Sequence, residues 1–257
     1  MDYFINIFNI NQSKITNWIN KNNQKLERRL IYLRMVKLSF FRSTNFFNTI
    51  IMLIRCSSLP KICTASKVKG SLSETAKSYI KTIAKQDFYG YESELNNKYV
   101  KKGIECEGAG ISLYNSVFFT SHEKNKERKS TAIITGECDI YTPELIIDIK
   151  CSWSFETFPA TSEDITLKDY EYQLRGYMYL YDVNSAELAY CMVDTPDHLI
   201  GYDNVQIHKT INAPIESLVT TLRIERNEKL EEEMIEKVHM AHEYYNEYIN
   251  NLNLKNK

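Results

Sequence analysis

No stretch of this 257-residue chain is apolar for long enough to span a membrane. The best, Ile50-Ile51-Met52-Leu53-Ile54, has the length of a short buried segment. Net charge is lacking too. The 32 Lys+Arg and 33 Asp+Glu leave a formal charge of -1, which excludes a polycation that binds nucleic acid by bulk charge but not a local basic groove. Glycine and proline are few, at 8 and 5, and 43% hydrophobic with 25% charged residues is an ordinary globular composition. Collagen and wholesale disorder are excluded. The six cysteines (Cys56, Cys63, Cys106, Cys138, Cys151 and Cys191) contain no C-x-x-C pair. They read as reduced, buried thiols of a cytoplasmic protein, and their spacing suits neither an iron–sulfur cluster nor structural zinc. The start, Met1-Asp2-Tyr3, carries no signal-peptide pattern. The length fits one mid-sized domain or a domain with an appendage.

Charge is uneven along the chain. Residues 1–50 hold eight Lys/Arg and two acids, a net of +6, which leaves 24 basic against 31 acidic residues in the rest, a net of -7. This first segment contains no Gly or Pro and shows helical periodicity around Ile15–Val36. We read residues 1–53 as a basic N-terminal extension, or as sequence upstream of a start near Met52, and 54–257 as the functional domain; a helical arm touching nucleic acid is the sharper reading. Further on, the spacing predicts helices over Leu72–Ala84 (Ser71 or Ser73 as N-cap), Asn97–Tyr114, Leu167–Tyr181 and Glu228–Leu252. It predicts strands over Ser130–Tyr141, Glu144–Trp153, Ala186–Val193 and Leu222–Arg226, the first two joined as a hairpin by Thr142-Pro143. That order implies a mixed α/β domain, a central mixed β-sheet flanked by helices.

The chemistry concentrates in Gly136-Glu137-Cys138-Asp139 and Asp148-Ile149-Lys150. Alternation along a strand puts Asp148 and Lys150 on one face, and the hairpin can bring Asp139 opposite Asp148. Two carboxylates that close need a cation between them. With only oxygen ligands on offer, the Ile149 carbonyl among them, a hard divalent ion such as Mg²⁺ is the natural choice. Lys150 is then placed to orient or deprotonate a water, or to neutralise a phosphate. Taken alone, Asp148 and Lys150 read more readily as a cross-strand surface ion pair; the strand context and the motifs around them shift that balance. Upstream, Glu107 shares a helical face with Gly103, Gly110, Ile111 and Tyr114, and glycines there allow close helix packing. Glu105 points about 160° away from it. Downstream, Gln173 and Tyr177 lie one turn apart; they can bind a phosphate, hold the lysine, or simply pack.

Glu107, Gly136-x-x-Asp139, Asp148-x-Lys150 and Gln173-x-x-x-Tyr177 resemble the motifs of the PD-(D/E)XK nuclease superfamily, and within it the lambda-exonuclease-like and RecB-like branch. The resemblance runs from about Ile54 to the C-terminus and implies a restriction-endonuclease-like core. By it, Glu107, Asp139 and Asp148, with the Ile149 carbonyl, bind Mg²⁺ or Mn²⁺. Lys150 is the catalytic lysine, and Gln173 and Tyr177 form the accessory motif. Asp148 stands where Glu is usual, and Cys138 replaces the proline that names the motif. In that family the segment before the first acidic helix contacts the DNA end. Here it is Ile54-Arg55-Cys56-Ser57-Ser58-Leu59-Pro60-Lys61, so Arg55 and Ser57 become candidates for a 5′-phosphate, with a surface Arg beside a helix cap as the plainer reading. Lys67, Lys69, Lys98, Lys101 and Lys102 are candidates for a DNA track, with a solvated helix face as the safer reading of any one of them, and Trp153 and Phe155 can wedge against bases or, the reading we favour, pack.

The activity implied is a metal-dependent 5′–3′ exonuclease on double-stranded DNA ends in phage-type recombination. The implied partners are double-stranded DNA, a single-strand annealing protein and further copies in a ring, with no membrane, in the cytoplasm of a bacterial host. Three alternatives stay open: a structure-specific endonuclease, a catalytically silent DNA-binding accessory on the same fold, and a Mg²⁺ phosphohydrolase acting on small phosphoesters.

Overall fold

The structure is a computed structural model and describes residues 52–92 and 97–255. The predicted helical stretch at Ile15–Val36 and nearly all of the basic extension lie outside the described residues.

The fold is mixed α/β, with two mixed sheets flanked by helices. Strand β1 (Ile54–Arg55) leads through a 3-10 turn into α1 (Leu59–Ile62), followed by α2 (Glu74–Tyr89) and α3 (Lys98–Phe118). Ser73 caps α2 by accepting from the Ala76 amide at 3.1 Å, Gly90 closes it in the left-handed conformation, and Asn97 caps α3 through the Tyr99 amide. The stretch expected as one strand is broken into β2 (Lys129–Ser130), β3 (Ile134–Gly136) and β4 (Ile140–Tyr141). β3 lies between β1 and β2 in a small sheet, whereas β4 turns away to pair with β5 (Ile146–Cys151). The Thr142 side chain accepts from the Leu145 amide at 2.9 Å, so the expected hairpin closes at Thr142-Pro143. Next come α4 (Glu171–Tyr181), β6 (Ser185–Cys191), α5 (Asp197–Ile200), β7 (Val219–Glu225) and α6 (Glu228–Lys255). The second sheet runs β4-β5-β6-β7, with β5 and β6 parallel and the outer pairings antiparallel.

The centre of this sheet is covered on both faces, which is why β5 reads Ile-Ile-Asp-Ile-Lys-Cys rather than as an alternating strand. Ile146, Ala186 and Leu188 belong to the larger core, with α1, α2, α4 and α6. Ile147, Ile149, Ala189 and Cys191 pack on the other face with Cys106, Ile111 and Tyr114 of α3. Helix α6 buries Met234, Val238, Ala241, Tyr245 and Ile249, a stripe spaced three and four residues apart. Among the described residues no helix is long and apolar enough to cross a membrane.

One glycine sets how closely α3 approaches β5. A Cβ on Gly110 would stand 2.8 Å from Ile149 Cγ2 and 3.0 Å from Cys151 Sγ, while Gly103, expected to share this role, faces open space. Gly110→Ala should therefore destabilise the fold by about 1–3 kcal/mol despite alanine's better helix propensity, through overpacking against a buried strand. Urea unfolding checks this; an unchanged or raised midpoint would show that α3 shifts without cost.

Candidate active site

The site is built at the end of the β4–β5 hairpin. The register pairs Ile140 with Ile147 and Tyr141 with Ile146, so continuing it sets Asp139 opposite Asp148. The Ile149 amide donates to Asp139 Oδ2 at 2.7 Å, which ties the acid to the neighbouring strand. Asp148 shares a strand face with Ile146 and is 1% exposed. Gln173 Nε2 donates to Asp148 Oδ1 at 3.0 Å and lies 3.3 Å from the Tyr177 hydroxyl. Gln173 and Tyr177 are both buried, so from helix α4 they orient the carboxylate of Asp148. The Lys150 ammonium stands 2.5 Å from Asp148 Oδ2 and over the Tyr170 ring, 5.2 Å from its centroid. The ion pair that strand alternation suggested is present, and its acid is buried rather than at the surface.

Electrostatics follow from this crowding. Burial, and then the charge of Asp148, push the Asp139 carboxyl up to about 7, against the pull of Lys150 and the Ile149 amide. Burial works against the Lys150 charge, but Asp148 and Asp139 outweigh it and hold the ammonium above the ordinary lysine value. Burial and the Asp148 charge raise Tyr177, so its hydroxyl keeps its proton.

Glu107 comes from α3, one turn before the closely packed Gly110. Its charge also acts on Asp139, but its nearest cation is Lys124, whose Nζ lies 2.7 Å from Oε1. Among the described residues no three His, Cys, Asp or Glu side chains stand close enough to form a ready metal cage. Two facts nevertheless fit a hard divalent ion. Glu107 Oε1 and Asp148 Oδ2 are buried and have no hydrogen bond of proper geometry, each meeting an ammonium instead. The donors are all oxygen, and Mg²⁺ is commonly held by one or two carboxylates completed by substrate oxygens.

Arg55 and Ser57 are exposed, while Cys56 and Ser58 between and beside them are buried. This segment is pressed onto the site's supports. A Cβ on Gly136 would meet Cys56 Sγ at 2.6 Å and the Tyr177 ring at 2.9 Å, and one on Gly176 would meet Leu59 Cδ1 at 2.4 Å. Arg55 and Ser57 thus flank the acids' supporting helix with their side chains free to solvent.

Some lysines are not where the sequence suggested. Lys102 is 0% exposed. Its Nζ donates to the backbone oxygens of Ser152, Trp153 and Val193 and to Thr195 Oγ1 at 2.7 Å, binding the ends of β5 and β6 together, so it lines no DNA track. Burial draws its pKa down to about 8. Lys98 is paired with Asp203 at 2.8 Å and lies over Trp153. Trp153 is buried and packs edge-on against Tyr99 and His208, as expected of a packing residue. The sequence reading missed Lys124 and Asn125. The Asn125 amide donates to the Asp139 carbonyl at 2.7 Å, and its side chain donates to the Cys138 carbonyl and the Tyr181 hydroxyl. The only sequence signal was a run of charged residues in a loop, which does not distinguish them from their neighbours.

No known protein-family profile matches the chain, and no curated protein matches its sequence. Solved structures do. The crystal structure of a phage-related exonuclease from Haemophilus somnus 129PT is 35% identical, with TM-score 0.75, covering 79% of this chain and 97% of that one. An alkaline exonuclease from Laribacter hongkongensis shares the fold at 15% identity and TM-score 0.56, covering 79% and 92%. Its complex with dAMP does so at 17% and 0.57, with the same coverage.

Proposed function

Since this chain belongs to the phage-related exonuclease family, the lambda-exonuclease-like branch of the PD-(D/E)XK nucleases, we propose that it is a metal-dependent deoxyribonuclease that degrades double-stranded DNA from its ends in the 5′ to 3′ direction, in phage-type recombination. The observation that carries the reading is the Asp139–Asp148–Lys150 cluster, in which a buried carboxylate oxygen of Asp148 faces an ammonium at 2.5 Å. Further support comes from the 35% identical relative, itself described as a phage-related exonuclease, and from the structural neighbour that binds dAMP, a nucleotide.

Asp139 and Asp148 would hold Mg²⁺ or Mn²⁺, with the Ile149 carbonyl adding an oxygen and Glu107 joining from α3. When bound, the ion supplies Lewis acidity toward a phosphate oxygen and lowers the pKa of a water. The protein's own groups do the rest. Gln173 keeps the Asp148 carboxylate in one orientation. Lys150, beside Asp148, would stabilise negative charge developing on the phosphate and orient or deprotonate the attacking water. Arg55 and Ser57, exposed beside the site, would receive the 5′-phosphate of a DNA end. A single-strand annealing protein is the partner proposed to take the product.

The test is digestion of linear duplex DNA, with and without a 5′-phosphate, beside a covalently closed circle, in Mg²⁺ and in EDTA. The expected result is metal-dependent loss of the linear duplex, faster with the phosphate, with the circle untouched. Cleavage of the circle would replace the exonuclease reading with an endonuclease, and full activity in EDTA would remove the metal.

A further inference from the structure

Lys124 is the one residue of the 119–128 loop whose ammonium is seen against a site acid, and two anchors place it there. The loop leaves α3 through Phe119, a non-glycine residue in the left-handed conformation (φ 53°), and is tied down one residue after Lys124 by Asn125. That residue bonds to the Asp139 carbonyl, the Cys138 carbonyl and the Tyr181 hydroxyl. Held so, Lys124 reaches Glu107 Oε1 at 2.7 Å, and Asp139 and Glu137 also act on its charge. The contact is lopsided. The Lys124 side chain is 50% exposed and long enough to swing into water, whereas Glu107 is 23% exposed and its Oε1 is buried without a proper hydrogen bond. An ammonium on a flexible stem leaves such a contact more readily than a guanidinium fork.

We propose that Lys124 is a built-in counter-ion of Glu107, occupying that carboxylate until a divalent metal displaces it, and so sets how tightly the site takes up metal. The inference rests on the metal-dependent reading of the site. It makes Lys124 a positioning residue: in place, it holds the Glu107 carboxylate in one orientation, and displaced, it frees Glu107 to complete the set begun by Asp139 and Asp148. It also accounts for the lack of a ready three-acid cage among the described residues, because the third acid is engaged elsewhere.

The experiment is calorimetric titration of the DNA-free protein with Mn²⁺ at low salt, comparing wild type, Lys124→Met and Lys124→Arg, with thermal unfolding of each in EDTA and in Mn²⁺. Lys124→Met should bind Mn²⁺ about fivefold more tightly, because the competing cation is gone. It should also gain more thermal stability from the metal than wild type does. Lys124→Arg keeps the charge and should bind Mn²⁺ no more tightly than wild type. Equal or weaker Mn²⁺ affinity in Lys124→Met would overturn the proposal. Absence of any Mn²⁺ binding in the wild type would instead overturn the metal-dependent reading on which it stands.

Discussion

Lys150→Ala should lower the rate of duplex digestion by about a thousandfold while DNA binding in a gel-shift assay stays close to wild type. The size follows from removing a preorganised cation aimed at developing phosphate charge, an effect of about two to three orders of magnitude per donor. The structure adds a second consequence. Asp148 is 1% exposed, and its Oδ2 has the Lys150 ammonium at 2.5 Å with no proper hydrogen bond. Taking the ammonium away strands a buried anion, so the variant should lose about 2–4 kcal/mol in EDTA. Mn²⁺ should restore more of that stability than it adds to the wild type, because a divalent ion can take over the missing charge. Lys150→Arg separates the two effects: it keeps a cation beside Asp148, so stability should hold while cleavage stays low, the guanidinium fork being a poor match for a single ammonium's position. Wild-type cleavage by Lys150→Ala would sink the assignment.

Asp139→Asn should do two opposite things: abolish cleavage and stabilise the metal-free protein at pH 8. The carboxyl is pushed up to about 7 by burial and by the charge of Asp148. A folded pKa above the unfolded one means that the folded state holds the proton more tightly. The stabilising contribution is then fully present below about pH 4, the unfolded value, and is lost as pH rises through about 7. At pH 8 the wild type carries a buried anion against its preference, and the isosteric amide, which can still accept from the Ile149 amide, does not. Melting in EDTA at pH 5 and at pH 8 should show the variant gaining about 2 kcal/mol over wild type at the higher pH, with the gain shrinking as pH falls. The calorimetric heat of Mg²⁺ titration should vanish in the same variant. A variant less stable than wild type at pH 8 in EDTA would mean that Asp139 is held by its hydrogen bond more than it is strained by its neighbours. Together these outcomes describe a site kept at some cost to stability because the reaction needs the charge.

How much of this was legible beforehand depends on the range over which each feature is decided. Ser73 as a cap, the stripe of α6, and the turn at Thr142-Pro143 are set by residues within one or two turns of each other, and the sequence carried them openly. The same holds for the core of the site. Strand alternation puts Asp148 and Lys150 on one face, and a hairpin can bring Asp139 opposite Asp148, although the register itself is set by the turn from Thr142 to Leu145. The break of the expected Ser130–Tyr141 strand into three was not legible, because β3 is drawn to β1, some eighty residues earlier, while β4 is drawn to β5. Nor was the burial of Lys102, whose ammonium is satisfied by oxygens fifty and ninety residues away. A lysine on a helix reads as solvated until those partners are known.

The amino-acid order alone thus determined the mixed α/β class, the two-carboxylate hairpin with its lysine, and the helices that carry Glu107 and Gln173, because each rests on periodicity and local turn chemistry. Only the folded chain decided that Gln173 and Tyr177 serve Asp148, that Gly110 rather than Gly103 lets α3 close on β5, and that Lys124 stands at Glu107. These are contacts between side chains brought together by packing, and no local pattern encodes which distant partner a polar group will find.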